Sequence, residues 1–219
     1  MFDVDAYLHE LSEKLRAQFS GRLAYIGLQG SYLRGEATED SDLDIVVLID
    51  GLSPADLASY REIISGMDGF ALSCGFICGT DEMKSWNRIE ACQLIHTTKD
   101  IYGCLQDYLP EWTMEDEKSF VKLSLGNLYH ELGHRYVHGG VEKSRQKLPR
   151  TRKALFFILQ NLHYVETGIF CTTAEELMRH LQGEDQAVFA LVQQMREEYN
   201  FEQAFAQIFR WCARAMQRF

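Results

Sequence analysis

Residues Ile26 to Asp50 read I-G-L-Q-G-S-Y-L-R-G-E-A-T-E-D-S-D-L-D-I-V-V-L-I-D, and this stretch decides the fold. It predicts a strand, a glycine-serine turn, a short helical turn, a polar loop, and a second strand that begins with Asp42 and Asp44. Residues two apart on a strand point to the same face, so both carboxylates share one face while Leu43 turns to the core. Two oxygen-rich groups held side by side suit a divalent metal ion.

Gly30 and Ser31 stand where the first strand turns into the helical segment. Such a turn leaves backbone N–H groups free to bind a phosphate. A metal site beside a phosphate cradle is the layout of phosphoryl or nucleotidyl transfer. The competing interpretation is a hairpin turn before a strand whose two aspartates are merely solvated.

The motif G-S-Y-L-R-G…S-D-L-D resembles the signature of the polymerase-beta-like nucleotidyltransferase superfamily, in its small bacterial branch. The matching residues are Gly30, Ser31, Arg34, Gly35, Ser41, Asp42 and Asp44. The resemblance implies an enzyme in which Asp42 and Asp44 bind Mg²⁺ and are catalytic. It also implies that Gly30, Ser31, Arg34 and Ser41 help to bind ATP or another nucleoside triphosphate.

The length and composition predict a soluble chain of one large or two modest domains. The chain has 219 residues, of which 46% are hydrophobic, enough to bury a sizeable core. No apolar run approaches membrane-spanning length and no secretory signal is visible, so we expect a cytoplasmic protein without a membrane partner. The six cysteines are scattered and read as reduced thiols.

The formal net charge of −10 bears on the partners. Nucleic acid is bound by Lys and Arg, which are in deficit, so a polynucleotide substrate is disfavoured, although a local basic patch remains compatible with this charge. An acidic surface attracts a small cationic acceptor. An anionic nucleoside triphosphate can then bind only where a metal ion and local cations offset the negative charge of the protein. A homodimer is compatible with the sequence.

The pattern of elements predicts an α+β protein. Residues 1–109 are expected to form a nucleotidyltransferase domain, a mixed β-sheet with flanking helices. Residues 110–219 are expected to form a C-terminal α-helical bundle that binds the acceptor. The predicted strands are 22–28, 43–49 and 70–78, with extended structure at 92–95 and 101–102; the predicted helices are 3–19, 53–67, 80–86, 113–137, 148–167, 173–183, 185–199 and 201–219. Capping signals predict helix starts at Ser53-Pro54, Thr80, Thr113 and Thr173, and Gly139-Gly140 is expected to end the helix over 113–137.

The sequence H-E-L-G-H, from His130 to His134, satisfies the zinc-protease pattern H-E-x-x-H on a predicted helix. Glu131 would be the general base of such a peptidase. The third ligand is missing from the pattern, because His138 lies about 12 Å from His130 along a straight helix. A zinc metallopeptidase is therefore a minor alternative.

The same residues also fit the two-domain kanamycin nucleotidyltransferase type. The helical bundle of that type supplies a catalytic glutamate with a cationic residue four positions later, and Glu131 and Arg135 resemble this pair. The resemblance implies that Glu131 is the general base for an acceptor hydroxyl and that Arg135 binds the triphosphate. It also points to an aminoglycoside-like antibiotic as the acceptor. The competing interpretation is a surface ion pair.

One position departs from the family pattern. The family commonly places a third metal-binding carboxylate on the strand after the first helix pair, where this chain reads F-A-L-S-C-G-F-I-C. Ser73 is the expected equivalent, and Asp81 or Glu82 just past the strand is a substitute. Without a third acid, we expect either a site that holds one metal ion weakly or a catalytically degenerate nucleotide-binding regulator or antitoxin-like module, which is the main alternative.

Overall fold

The computed structural model describes residues 2–39, 41–195 and 199–218, and the chain divides into two compact units, Met1–Trp112 and Thr113–Phe219. The first unit contains a four-stranded mixed sheet with helices, whereas the described residues of the second unit form helices without strands. The predicted α+β class is therefore confirmed. No helix among the described residues is long and apolar enough to cross a bilayer.

The first unit opens with a helix that packs on the sheet. Asp3 caps this helix by accepting a hydrogen bond from the backbone N–H of Ala6 at 3.0 Å. The elements in chain order are α1 (Val4–Gln18), β1 (Leu23–Leu28), α2 (Gly30–Arg34), β2 (Leu43–Ile49), α3 (Pro54–Ser65), a 3-10 turn (Phe70–Leu72), β3 (Ser73–Gly79), α4 (Thr80–Lys84), α5 (Arg88–Thr97), β4 (Lys99–Tyr102) and a 3-10 turn (Leu105–Asp107).

The sheet has the strand order β3-β2-β1-β4. β1 runs antiparallel to β2 and β4, whereas β2 and β3 run parallel. Leu28 at the end of β1 pairs with Ile45 of β2 and with Lys99 of β4, and Leu43 of β2 pairs with Ser73 of β3. The C-terminal end of β1 and the N-terminal ends of β2, β3 and β4 therefore lie side by side, and this row of strand ends is the edge of the sheet described below.

Each face of the sheet has its own core, because the residues of β2 alternate between the two faces. Ile45 is buried in a cluster that includes Leu11 of α1. Val46 is buried in a separate cluster that includes Met83 of α4 and Ala91 of α5. Helices thus cover both faces, as the nearly continuous apolar run of β2 predicts.

The second unit begins at a capping box that the sequence predicts. Thr113 N–H donates to Asp116 Oδ2 at 2.8 Å, and Asp116 N–H donates to Thr113 Oγ1 at 3.3 Å. Fully buried residues such as Leu125, Leu159 and Phe189 form its core. Its elements are α6 (Met114–Gly139), α7 (Val141–Lys147), a 3-10 turn (Leu148–Arg150), α8 (Thr151–Thr167), α9 (Ala174–His180), α10 (Gly183–Gln194) and α11 (Phe201–Ala215).

Several local predictions are wrong. The extended structure expected over 92–95 is part of α5, which Asn87 caps with its side chain. Thr80 was expected to cap α4, but Gly79 occupies that position and the Thr80 hydroxyl donates to Asp50 Oδ1 at 2.8 Å. The hydroxyl is therefore engaged with the end of β2 and not with its own helix.

The helix ends in the second unit also differ from the prediction. α7 was not predicted, because Gly139-Gly140 was expected only to end the helix before it; Gly140, with φ +79°, separates α6 from α7. The helix predicted over 148–167 begins with a 3-10 turn. α10 and α11 correspond to the last two predicted helices, of which residues 196–198 and 219 lie outside the described ranges.

Candidate active site

The turn between β1 and β2 holds Gly30 against the carboxylate of Asp44. Gly30 has φ +72°, a conformation that L side chains rarely adopt. A methyl group added at this glycine would overlap Asp44 Oδ2. The backbone N–H of Gln29 donates to the carbonyl oxygen of Asp44 at 2.9 Å, which fixes the two strands at this point. Glycine is therefore required for both its backbone angle and its lack of a side chain.

Asp42 and Asp44 flank the first residue of β2. Asp42 is exposed and Asp44 is half-buried, whereas Leu43 and Ile45 are buried in the core on the opposite face. Strand alternation places Asp44 on the face that α4 and α5 cover further along the sheet. A carboxylate with one side open to solvent and the other against a backbone turn is accessible to a ligand.

The other residues of the signature hold the turn and the loop together. Ser31 lies in α2, and its carbonyl oxygen accepts the backbone N–H of Glu36 at 2.9 Å. Arg34 Nε donates to Glu36 Oε2 at 2.8 Å, so its charge is paired within the loop. Ser41 Oγ accepts the backbone N–H of Thr38 at 2.8 Å, closing a turn just before the two aspartates.

A row of polar side chains crosses the sheet at this edge, and two of them, Gln29 and Thr98, lie just after β1 and just before β4. Cys74 of β3 pairs with Asp44, which lies opposite Gln29, and Gln29 Nε2 donates to Thr98 Oγ1 at 2.7 Å. Cys74 is exposed and the other three are half-buried. No sequence motif marks Cys74 or Thr98, whereas the alternation of Tyr25, Gly27 and Gln29 along β1 and just past its end is a signal that could have identified Gln29.

A second polar pair lies one row deeper. Tyr25 donates its hydroxyl proton to Asp100 Oδ1 at 2.6 Å. Burial, followed by the negative charge of Asp100, raises the pKa of Tyr25 well above its usual value. Gly27 makes room for this contact, because a methyl group there would overlap the Tyr25 hydroxyl and Thr98. The phenol therefore stays protonated and donates its hydrogen bond at any physiological pH.

The register corrects the expected position of the third carboxylate. Ser73 pairs with Leu43, and its side chain lies beside the phenol of Tyr7. The β3 residue in register with Asp44 is Cys74. In a parallel pair, residues in register point to the same face, so a thiol and not a hydroxyl occupies the place where an acid was expected.

Asp81 and Glu82 do not replace that acid. They follow Gly79, which pairs with Ile49 at the far end of β2, and Glu82 Oε2 lies against Gly79. Five residues of strand separate Ile49 from Asp44, about 16 Å at the usual rise per residue. Both side chains therefore lie at the opposite edge of the sheet from the two aspartates.

The donor set fits a hard divalent cation. In the described ranges, no group of three or more His, Cys, Asp and Glu side chains is close enough to bind one metal ion. Two carboxylates are nevertheless sufficient for Mg²⁺, which keeps several waters and takes the remaining ligands from substrate phosphates. Asp42 and Asp44 offer such a pair.

In the second unit, Glu131 and Arg135 of α6 form an ion pair. Glu131 is 53% exposed at its side chain, whereas Arg135 is only 15% exposed. The three histidines of α6 lie along one exposed stripe, with ring centroids 5.7 Å apart for His130 and His134 and 4.9 Å apart for His134 and His138. The described residues add no third side chain close enough for a zinc site there.

Comparison with known proteins gives both a family and a fold. The sequence profile described as "Nucleotidyltransferase domain" matches residues 8–117, half of the chain. Protein adenylyltransferase MntA of Thermococcus cleftensis is 36% identical over 69 residues, which are 30% of this chain and 68% of MntA. The crystal structure of spectinomycin adenyltransferase AAD(9) from Enterococcus faecialis, with ATP and spectinomycin, has a TM-score of 0.59 and 15% identity, covering 96% of this chain and 98% of that one. At this identity the structural likeness shows a shared fold.

Proposed function

Since the chain belongs to the polymerase-beta-like nucleotidyltransferase family, we propose that it transfers a nucleoside monophosphate from ATP to a hydroxyl group of a small cationic acceptor. The observation that carries this proposal is the carboxylate of Asp44 held against the turn at Gly30, with Asp42 two residues earlier, just before β2. The fold shared with spectinomycin adenyltransferase and the acidic surface of this chain both support a cationic, aminoglycoside-like acceptor.

The residues at the sheet edge have separate roles in this proposal. Asp42 and Asp44 would bind Mg²⁺, which when bound neutralises charge on the triphosphate as pyrophosphate leaves. Gly30 and Ser31 would approach the outer phosphates with their backbone, and Arg34 and Ser41 would keep the loop in shape around them. Cys74, Gln29 and Thr98 would form the floor of the site beside Asp44.

The second unit would supply the acceptor site and the base. Glu131 would take the proton of the attacking hydroxyl, and Arg135 would hold both Glu131 and the triphosphate through its guanidinium group. The hydroxyl oxygen would then attack the α-phosphate, and the bond to the leaving pyrophosphate would break. The bundle would act as the acceptor-binding domain.

The test is incubation of the full chain with ATP, Mg²⁺ and a panel of acceptors, with pyrophosphate release as the measurement. The panel includes aminoglycosides, spectinomycin and the protein itself, because MntA is named a protein adenylyltransferase. We expect Asp42→Asn and Asp44→Asn to lower turnover at least a thousandfold. Calorimetry with Mg²⁺ and ATP should show weaker binding in both variants.

Asp81→Asn and Glu82→Gln are the matched controls. They remove the same charge at the opposite edge of the sheet, so they should leave turnover within about twofold of the original chain. Full activity of the Asp42 or Asp44 variant would refute the assignment of the metal site.

A second candidate function is a nucleotide-binding module without turnover. The observation that favours it is Cys74, which stands in register with Asp44 where the family commonly has an acid. This candidate expects ATP and Mg²⁺ to bind with no pyrophosphate released for any acceptor. Turnover of a single acceptor would exclude it.

Glu131→Gln tests the role of the second unit. The change keeps the shape of the side chain but removes its basic oxygen, so turnover should fall by about a hundredfold to ten-thousandfold while ATP affinity stays nearly constant. Glu142→Gln, at another exposed glutamate of the same unit, is the control. Unchanged transfer by the Glu131 variant would remove this residue from the mechanism.

A further inference from the structure

The positive charge of this acidic chain is concentrated in one segment of the second unit. The cationic segment, residues 143–153, contains no Asp or Glu, and its six basic residues are Lys143, Arg145, Lys147, Arg150, Arg152 and Lys153. The remaining chain has 16 basic and 32 acidic side chains, a formal net charge of −16. The net charge of the whole chain therefore hides a strongly basic segment.

These basic side chains are accessible and largely unneutralised. All six are exposed except Lys147, which is half-buried. Among the residues that the structure describes, only Arg145 has an acidic partner, Glu142 at 3.7 Å. The large apolar residue of the segment, Leu148, is buried, so the exposed surface of the segment is polar as well as cationic.

Arg135 of α6 joins this surface. A methyl group added at Gly139 would contact Lys143 Cδ at 3.2 Å and Arg135 Cγ at 3.7 Å, so both side chains pass this glycine. Burial, and after it the positive charge of Arg150, lowers the pKa of Arg135. Arg135, Lys143 and Arg150, three cations from three elements, therefore lie close together.

One donor in this group has no acceptor in the described part of the chain. Arg135 pairs with Glu131, but its Nη1 atom is buried without a hydrogen-bond partner. A buried guanidinium nitrogen without an acceptor is costly, and an anionic oxygen is the acceptor that suits it.

We propose that the cationic segment binds the phosphate backbone of a single-stranded nucleic acid. Six charges over eleven residues exceed what one triphosphate needs and match a run of phosphodiesters. The segment exposes no large apolar residue that would anchor it in a lipid surface. It also has no aromatic residue for base stacking, so its contacts are to phosphates, which carry no sequence information.

The proposal does not rest on nucleotidyl transfer and is tested without it. Fluorescence anisotropy with a labelled 20-nucleotide oligouridylate, titrated with the full chain in 50 to 200 mM salt, should give a dissociation constant of about 1–100 µM. The logarithm of the association constant should fall with the logarithm of salt with a slope of about −4, since each phosphate contact of a single strand contributes about −0.7. An oligoadenylate of the same length should bind equally well.

The variant with Lys143→Gln, Arg150→Gln and Arg152→Gln should bind at least tenfold more weakly, and its slope should fall to about −2. The control variant, Lys14→Gln with Arg16→Gln and Lys118→Gln, changes the net charge equally at ion-paired surface positions and should bind as the original chain does. Circular dichroism melting establishes that both variants are folded.

Three results would overturn the proposal. The first is no binding of either oligonucleotide at 50 mM salt. The second is an equal loss in the two triple variants, which would make the effect one of net charge alone. The third is binding to vesicles of anionic phospholipid without binding to oligonucleotides, which would assign the segment to a membrane surface.

Discussion

Gly30 shows how one residue shapes the candidate site. Its left-handed backbone angle and its contact with Asp44 are separate constraints, and Gly35 shares only the first, because its φ is +70° but a methyl group there meets no atom within 4 Å. The two glycines therefore separate the effect of backbone strain from the effect of displacing a carboxylate.

We expect Gly30→Ala and Gly35→Ala each to lower the free energy of unfolding by about 1–2 kcal/mol, the usual cost of a left-handed alanine. Only Gly30→Ala should also abolish Mg²⁺-dependent ATP binding, since it pushes the Asp44 carboxylate aside. Urea unfolding and calorimetry measure the two effects. Equal loss of ATP binding in both variants would show that strain in the turn, and not the position of Asp44, controls the site.

Among single residues, the signature at 30–44 predicts the family correctly, whereas the sequence predicts the position of the third carboxylate poorly. The resemblance carried by residues 30–44 is confirmed by the family match over 8–117. The roles of Asp42 and Asp44 stay predictions. Ser73, the expected equivalent of that acid, pairs with Leu43, whereas Cys74 pairs with Asp44. Register between strands distant in sequence depends on tertiary packing, which a local pattern does not contain.

Among the elements, prediction succeeds where periodic patterns and caps coincide. α3 begins at Ser53 and Pro54 and α6 at Thr113, as their capping signals predict. α5 was missed because the apolar run over 92–95 is too short to distinguish a strand from a buried helix. Its burial against β2 and β3, through residues such as Ala91, favours the helix.

Asp185, near the start of α10, binds two residues at the C-terminal end of the chain, Trp211 of α11 and Arg218. Asp185 accepts the indole N–H of buried Trp211 at 2.7 Å and two bonds from Arg218 at 2.8 Å each. Asp185→Ala leaves the indole donor without an acceptor and should cost about 2 kcal/mol of unfolding free energy. Asp185→Asn keeps an acceptor and should cost about 1 kcal/mol. Chemical denaturation with tryptophan fluorescence measures both, and equal losses would contradict the role of the indole bond.

For the molecule as a whole, stability should depend on pH through its buried histidines. Burial, followed by the charge of His180, lowers the pKa of His163, against the opposing effects of Glu166 and Asp185. Burial also lowers the pKa of His96 in the first unit. Because the unfolded chain binds these protons more readily, stability should be complete above about pH 6.5 and should fall as the pH drops below it.

Melting temperatures at pH 7.5 and 5.5 test this expectation. The drop between the two values should be smaller in His163→Gln, which cannot bind the proton, than in the original chain. His9→Gln, at an exposed position of α1, should leave the drop as it is. A drop that is the same in the His163 variant would locate the pH dependence elsewhere.

The order of the strands also has a consequence for how the protein folds. β1 and β2 pair across a connection of only 14 residues, 29–42, whereas β4 joins β1 across 70 residues, 29–98. Closing the longer loop costs about 1.4 kcal/mol more in chain entropy. The hairpin that brings Gly30 to Asp44 should therefore form first in the sheet, with Asp44 already beside the turn when β4 pairs with β1.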